Sequence, residues 1–392
     1  MYDFDKVVNR RNTNSLKWDV KETELPMWVA DMDFQTAPEI IDAIKARVEH
    51  GVFGYSILPE EWYQAYINWW KNKHAFTIEK EWLIFSTGVI PIISSVVRKL
   101  TTPGENVVVQ TPVYNIFFNS IVNNGRNVLE SPLVYKDGNY DVDFEVLEEA
   151  LSNPQTSMMI LCNPHNPVGK IWSRETLTKI GELCAKYDVI VISDEIHCDL
   201  TAPGRDYVPF ASVSETCMNQ SITCIAPTKT FNLAGIQTAA VMVPNKYLRH
   251  KVWRALNTDE VAEPNVFAVA ATVAAFEKGD VWLTELKDYI QSNKKLVEEF
   301  IKNEIPELTV VSMEVTYLLW IDCSKIGIYS DALAEYIREK TGLYLSEGCE
   351  YRGNGHHFLR MNVACSKETL NDGLSRLKSG IEGYKQWLDS NC

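Results

Sequence analysis

Residues 158–170 read MMILCNPHNPVGK, and this stretch decides the architecture. The run MMILC (158–162) lacks the polar alternation of a half-exposed strand, so it reads as a strand covered on both faces. It passes directly into two Asn-Pro pairs and a glycine. Proline restricts the residue before it, so the pair of prolines predicts a rigid, extended turn. Such a turn reads either as a plain strand-to-helix loop or as a scaffold that presents Asn166 to a ligand oxygen.

The same rhythm recurs on both sides. LIFS (83–86), NVVVQ (106–110), VIVIS (189–193), ITCIA (222–226) and AAVMV (239–243) are further apolar runs. Helical patterns lie between them, such as SRETLTKIGELCAKY, where Ser173 can cap and Glu175 sits in the first turn. The alternation from about residue 80 to 245 predicts a three-layer α/β domain around a parallel sheet. Beyond it, 263–279 reads as a helix ending at Gly279 and 280–303 as a second, long helix. VVSMEVTYLLWIDC (310–323) reads as a strand, ALAEYIREKTG (332–342) as a helix closed by Gly342, and HHFLRMNVAC (356–365) as another strand. An amphipathic helix over 368–388 follows. The division predicted is a large α/β domain over 46–285 and a small α+β domain formed by 1–45 with 286–392.

Composition narrows the classes. The 392 residues are 46% hydrophobic and 23% charged, enough for a large core. Lys and Arg contribute 38 charges against 52 acidic ones, giving −14, a balance that repels phosphate backbones and argues against a nucleic-acid binder. No apolar run approaches the ~20 residues a membrane-spanning helix needs, and the start lacks a signal-like apolar stretch. The nine cysteines show no CxxC pair, which favours reduced thiols and a cytoplasmic protein.

Three more positions carry chemistry. Asp194 in VIVISDEIHCDL (189–200) ends a strand at the edge where open α/β sheets place ligands. It reads as a turn aspartate or as a carboxylate that keeps a ring nitrogen protonated; the adjacent Glu195 reads as structural. Lys229 in CIAPTKTFNLAGIQ (224–237) is either a surface residue at a strand end or a Schiff-base lysine. STGVIPIIS (86–94) leads through Gly88 into a helix, whose free N–H groups suit a phosphate.

In this order these features resemble the fold-type I pyridoxal 5′-phosphate (PLP) enzymes, the aspartate-aminotransferase superfamily, which implies a three-layer fold with a large mixed-sheet domain and a smaller α+β domain. NPHNPVG, SDEIH and PTKTFNLAG carry the match over nearly the whole chain. SLKWD (15–19), PMWVADMDF (26–34), FGYS (53–56) and TPVYNIFF (111–118) make it similar to the MalY/PatB group of cysteine-S-conjugate β-lyases, which includes cystalysin. The resemblance implies that Lys229 forms the Schiff base and moves the Cα proton, that Asp194 binds the pyridine nitrogen and that Asn166 binds the ring oxygen. It places Tyr114 on the ring face and gives the phosphate to Gly88, Val89 and Thr228. His197 stands where many aminotransferases carry a tyrosine, and Gln237 where many carry a phosphate-binding arginine. Tyr55 matches a tyrosine contributed across a dimer interface, which implies a homodimer. Arg360, sharing a strand face with Phe358, Asn362 and Ala364, would take the α-carboxylate of a small amino-acid substrate. Trp62, Tyr66, Trp69 and Trp70 follow helical spacing and read as core or dimer packing.

The reaction expected is cleavage of an S-substituted L-cysteine such as cystathionine to a thiol, pyruvate and ammonia. An aminotransferase uses the same residues, and a regulator built on a PLP-enzyme scaffold is a third reading. The intact Lys, Asp and Asn set argues for catalysis.

Overall fold

The computed structural model of the chain describes residues 2–327 and 329–391. The apolar runs form a seven-stranded sheet in the order 83–86, 239–242, 221–225, 190–194, 156–162, 106–109, 127–130. Five of these strands pair in parallel. The large sheet is mixed, as the resemblance implies: Ala239–Met242 runs antiparallel to both neighbours. It follows the lysine loop by a short connection, which returns the chain without a crossover helix. The edge strand Asn127–Glu130 was not anticipated, because NVLE is part-exposed and lacks the continuous apolar signal of the central strands.

Helices cover both faces. Val89–Leu100 packs one side, where Ile92, Ile93, Val96 and Val97 are fully buried against Val107, Val109 and Val241. Arg174–Lys186 packs the other, and Ser173 caps it by accepting from the Thr176 amide as expected. Glu60–His74 buries Trp62, Tyr66, Trp69 and Trp70 in a third cluster, with Phe276 at the centre of their ring contacts. Burial of aromatics on this scale stabilises by roughly 2–3 kcal/mol per ring.

A second sheet orders its strands 309–310, 318–322, 358–362, 346–347, all antiparallel. Its core draws on Asp280–Glu304, Ser330–Thr341 and Lys367–Asn391, together with Leu25 and Met27 from the N-terminal arm. That arm pairs in parallel with Leu343–Tyr344. Gly279 and Gly342 end their helices at the predicted positions, the latter with φ 76°. The single strand expected over 310–323 is not formed. Thr316 turns the backbone at φ 62°, and residues 312–315 leave the sheet to bond the loops of the larger one. Ser312 Oγ donates to the Gly169 carbonyl at 2.9 Å, and Glu314 Oε2 accepts from the Ile171 amide at 3.0 Å.

Candidate active site

The carboxyl ends of adjacent strands converge on one cavity of about 210 Å³. The strand Ile190–Asp194 delivers Asp194 and the turn carrying His197; the neighbouring strand Thr156–Cys162 delivers Asn166. Thr228 and Lys229 follow Ser221–Ile225, and Tyr114 follows Asn106–Val109. Gly88 caps the helix Val89–Leu100, whose first turn opens on the same space with no side chain capping it. Eight of the ten residues singled out from the sequence thus surround one volume. Arg360 lies just behind Asn166. Tyr55 stands apart: it is fully exposed and lies outside its own chain's cavity.

Asp194 is buried, and its Oδ1 accepts from the Ile196 amide at 3.1 Å. Among the described residues it has no ion pair. Burial pushes its carboxyl up to about 7, with Glu195 adding to the rise while the Ile196 amide and Lys229 oppose it. A buried carboxyl in this state calls for a cation in the cavity. His197 is pushed down to about 3 by burial and then by the charges of Lys229 and Arg360, so its imidazole is neutral, and its buried Nδ1 has no partner. Burial lowers Lys229 to about 8, against the pull of Asp31 and Asp194. Its Nζ donates to the Ala30 carbonyl at 2.6 Å.

Arg360 Nη1 donates to Asn166 Oδ1 at 3.3 Å, and Nη2 to the Trp28 carbonyl at 2.9 Å. The guanidinium is buried, its Nε has no partner, and among the described residues no carboxylate pairs with it. An uncompensated buried cation is costly, so this arrangement suits an anion that arrives with a ligand. Glu195, by contrast, is saturated. It accepts from Ser193, Tyr207 and the Phe210 amide at 2.8–2.9 Å and from Asn163 at 3.3 Å, which fits its structural reading.

The strap Trp28–Asp33 escaped residue-level reading. Asn362 Nδ2 donates to the carbonyls of Val29 and Asp31 at 2.6 Å, so consecutive backbone oxygens of the strap bind Arg360, Asn362 and Lys229. Asp31 and Asp33 in turn pair with Arg10, and Asp33 with the buried Lys17. Carbonyl oxygens carry no side-chain signature, so no residue pattern announces them. A second hub, the buried Asp199, accepts from Trp69 at 2.9 Å and Thr230 at 3.0 Å and bonds His74 at 2.8 Å, tying the lysine loop to Glu60–His74.

Comparison with known proteins gives this geometry its class. The family model of class I and II aminotransferases matches residues 26–377. Cystathionine β-lyase PatB of Bacillus subtilis is 43% identical over 386 residues, covering 97% of this chain and 100% of PatB. Protein MalY of Escherichia coli is 32% identical, covering 98% and 100%. The crystal structure of PLP-containing cystalysin from Treponema denticola superimposes with a TM-score of 0.95 at 32% identity, over 98% of this chain and 100% of that one. The chain therefore belongs to the class I and II aminotransferase family of fold-type I, PLP-dependent enzymes. Within that family it falls in the MalY/PatB group of carbon–sulfur lyases.

The cavity fits that cofactor on its own chemistry. Asp194 is a buried carboxyl without a cation, the helix start at Gly88 offers open N–H groups, and a lysine of lowered basicity faces both. No helix among the described residues is long and apolar enough to cross a membrane.

Proposed function

We propose that this enzyme cleaves the Cβ–S bond of S-substituted L-cysteines such as L-cystathionine, releasing a thiol, pyruvate and ammonia. The buried, acid-free Arg360 beside the poised Lys229 is the observation that carries the reading. Bound at Lys229, PLP supplies an electron sink for the substrate Cα. Asp194 would hold the ring nitrogen protonated, Asn166 would donate to the ring oxygen, and Tyr114 would cover the ring face. The amides of Gly88 and Val89 and the Thr228 hydroxyl take the phosphate. Neutral His197 packs beside the ring without adding charge. Arg360 grips the α-carboxylate in two-pronged fashion and so presents the Cα–H bond to Lys229. The Lys229 amine, freed when the substrate's amino group takes its place, would remove that proton; the Cβ–S bond then breaks with its electron pair leaving on sulfur, which gains a proton to depart as the thiol. The three-carbon remainder hydrolyses to pyruvate and ammonia.

The two sheets support a division into a cofactor-binding unit over 46–285 and a substrate-side unit of 1–45 with 286–392. The second has a hydrophobic cluster of its own, to which the N-terminal arm contributes. Full exposure of Tyr55, with Val52, Phe53 and Ile57 exposed beside it, supports a homodimer in which Tyr55 completes the partner's site. The acidic balance and free cysteines support a cytoplasmic setting.

The test is direct. Purified enzyme with PLP and L-cystathionine is assayed for thiol and pyruvate. Release of both in equal amounts is expected. A keto acid formed without thiol would make it an aminotransferase.

A further inference from the structure

The Ala30 carbonyl has a second donor besides Lys229. Tyr317, 1% exposed, donates its hydroxyl to that same oxygen at 3.0 Å. A carbonyl carries two lone pairs, so both donors fit, yet each weakens the oxygen's pull on the other.

The backbone that aims Tyr317 is strained. Thr316, directly before it, holds φ 62°, a left-handed conformation that a β-branched residue rarely adopts. Several contacts hold it there. The Thr316 amide donates to the Leu200 carbonyl at 2.9 Å, and its Oγ1 accepts from the Leu318 amide at 3.1 Å. Behind the turn, the buried Lys294 Nζ donates to the carbonyls of Met313 and Val315 at 3.3 and 3.2 Å. Strain retained this close to a reacting group is a mark of function. Here its product is the direction of one tyrosine ring.

We propose that Tyr317 is a positioning residue: its hydroxyl fixes the Ala30 carbonyl beside Lys229 and tempers that oxygen. The lysine amine then gives it one N–H while its lone pair stays free for the substrate proton. This rests on the reading of Lys229 as proton carrier. The charged and titratable groups acting on Lys229 are Asp31 and Asp194, which favour its cationic form, and Arg360, which opposes it; His197 lies close by and is neutral. Removing the Tyr317 hydroxyl leaves Ala30 O wholly to the ammonium and takes away the positive end of a dipole. Both changes favour the charged lysine.

The test uses the full-length chain stripped of PLP. Its lysines are reductively methylated with formaldehyde and cyanoborohydride across a pH series, and Lys229 is followed by mass spectrometry. In Tyr317→Phe the Lys229 labelling midpoint should rise by about half a pH unit or more. With PLP restored, kcat should fall by about tenfold while KM stays near wild type. Thr316→Gly loses the Oγ1 contact to the Leu318 amide but accepts the positive φ and keeps the Tyr317 hydroxyl, so its midpoint should match wild type. An unchanged midpoint in Tyr317→Phe, or an equal shift in Thr316→Gly, overturns the proposal. If wild-type Lys229 titrates like the surface lysines, the proton-carrier reading fails first, and this one with it.

Discussion

Arg360 Nη1 and Asn166 Oδ1 lie 3.3 Å apart, joining residues separated by 194 positions. The contact settles which way the Asn166 amide faces. A guanidinium donates only, so it must meet the carbonyl end, and the NH₂ end is left to face the cavity as a donor. The group assigned to the substrate carboxylate thus orients the group assigned to the ring oxygen, and loss of either should be felt at the other.

Arg360→Lys tests the substrate side. A lysine keeps the charge but loses the planar fork and the bond to Asn166. KM for L-cystathionine should rise by about tenfold or more, with the melting temperature within a few degrees of wild type. Steady-state kinetics at saturating PLP reads the outcome.

On its proposed role, Lys229→Ala removes both the attachment point of the cofactor and the proton carrier. Turnover should fall by about 10⁴-fold or more, while the fold persists because among the described residues the lysine's hydrogen bond is to the Ala30 carbonyl alone. Thiol release and circular dichroism check the two halves.

Asp194→Asn should act oppositely on the empty and loaded protein. The fold raises the carboxyl from 3.8 to about 7, so it favours the protonated form. The stability linked to this group is full below about pH 4 and is lost as pH rises through 7. His197 runs the other way, since its neutral form is favoured and its contribution fades as pH falls below 6.5. Without PLP, Asp194→Asn should therefore gain on wild type by a few kcal/mol between pH 4 and 7. With PLP the variant should retain the cofactor poorly and turn over slowly. Melting curves at several pH values, with and without PLP, decide it.

Glu195→Gln separates the two neighbouring acids. It places an NH₂ group among Ser193, Tyr207, Asn163 and the Phe210 amide, all donors to the native carboxylate. Stability should drop by about 2–4 kcal/mol, and with the neighbouring acid neutralised the Asp194 carboxyl should titrate lower in the folded fraction. Denaturant unfolding measures this.

Tyr55 tests assembly. Inactive Lys229→Ala chains mixed with inactive Tyr55→Ala chains should recover activity after subunit exchange, because each hybrid holds one site free of both lesions. Proven exchange without recovery would place Tyr55 outside the partner's site.

Much of this architecture is written in side chains. The central strands were legible because burial on both faces demands continuous apolar runs, as in MMILC and VIVIS. Asp194, Asn166 and Lys229 were legible because each follows such a run: Asp194 closes VIVIS, while Asn166 and Lys229 stand in loops that carry Pro and Gly. The edge strand NVLE was not, since partial exposure dilutes the pattern. The reversal of Ala239–Met242 was hidden as well: a buried strand reads alike in both directions. The break at Thr316 and the carbonyls of Trp28–Asp31 left no trace: a threonine gives no signal of a left-handed turn, and every residue carries a carbonyl.

The strap has a consequence for how the enzyme comes into being. A ribosome delivers Trp28 some 332 residues before the arginine that will bind its carbonyl. The nascent chain can assemble its central sheet early, but the catalytic pocket stays open until the strand Phe358–Asn362 emerges. On the roles proposed for Lys229 and Arg360, activity arrives almost last in synthesis, and a chain halted before Arg360 carries the lysine without the group that would hold a substrate.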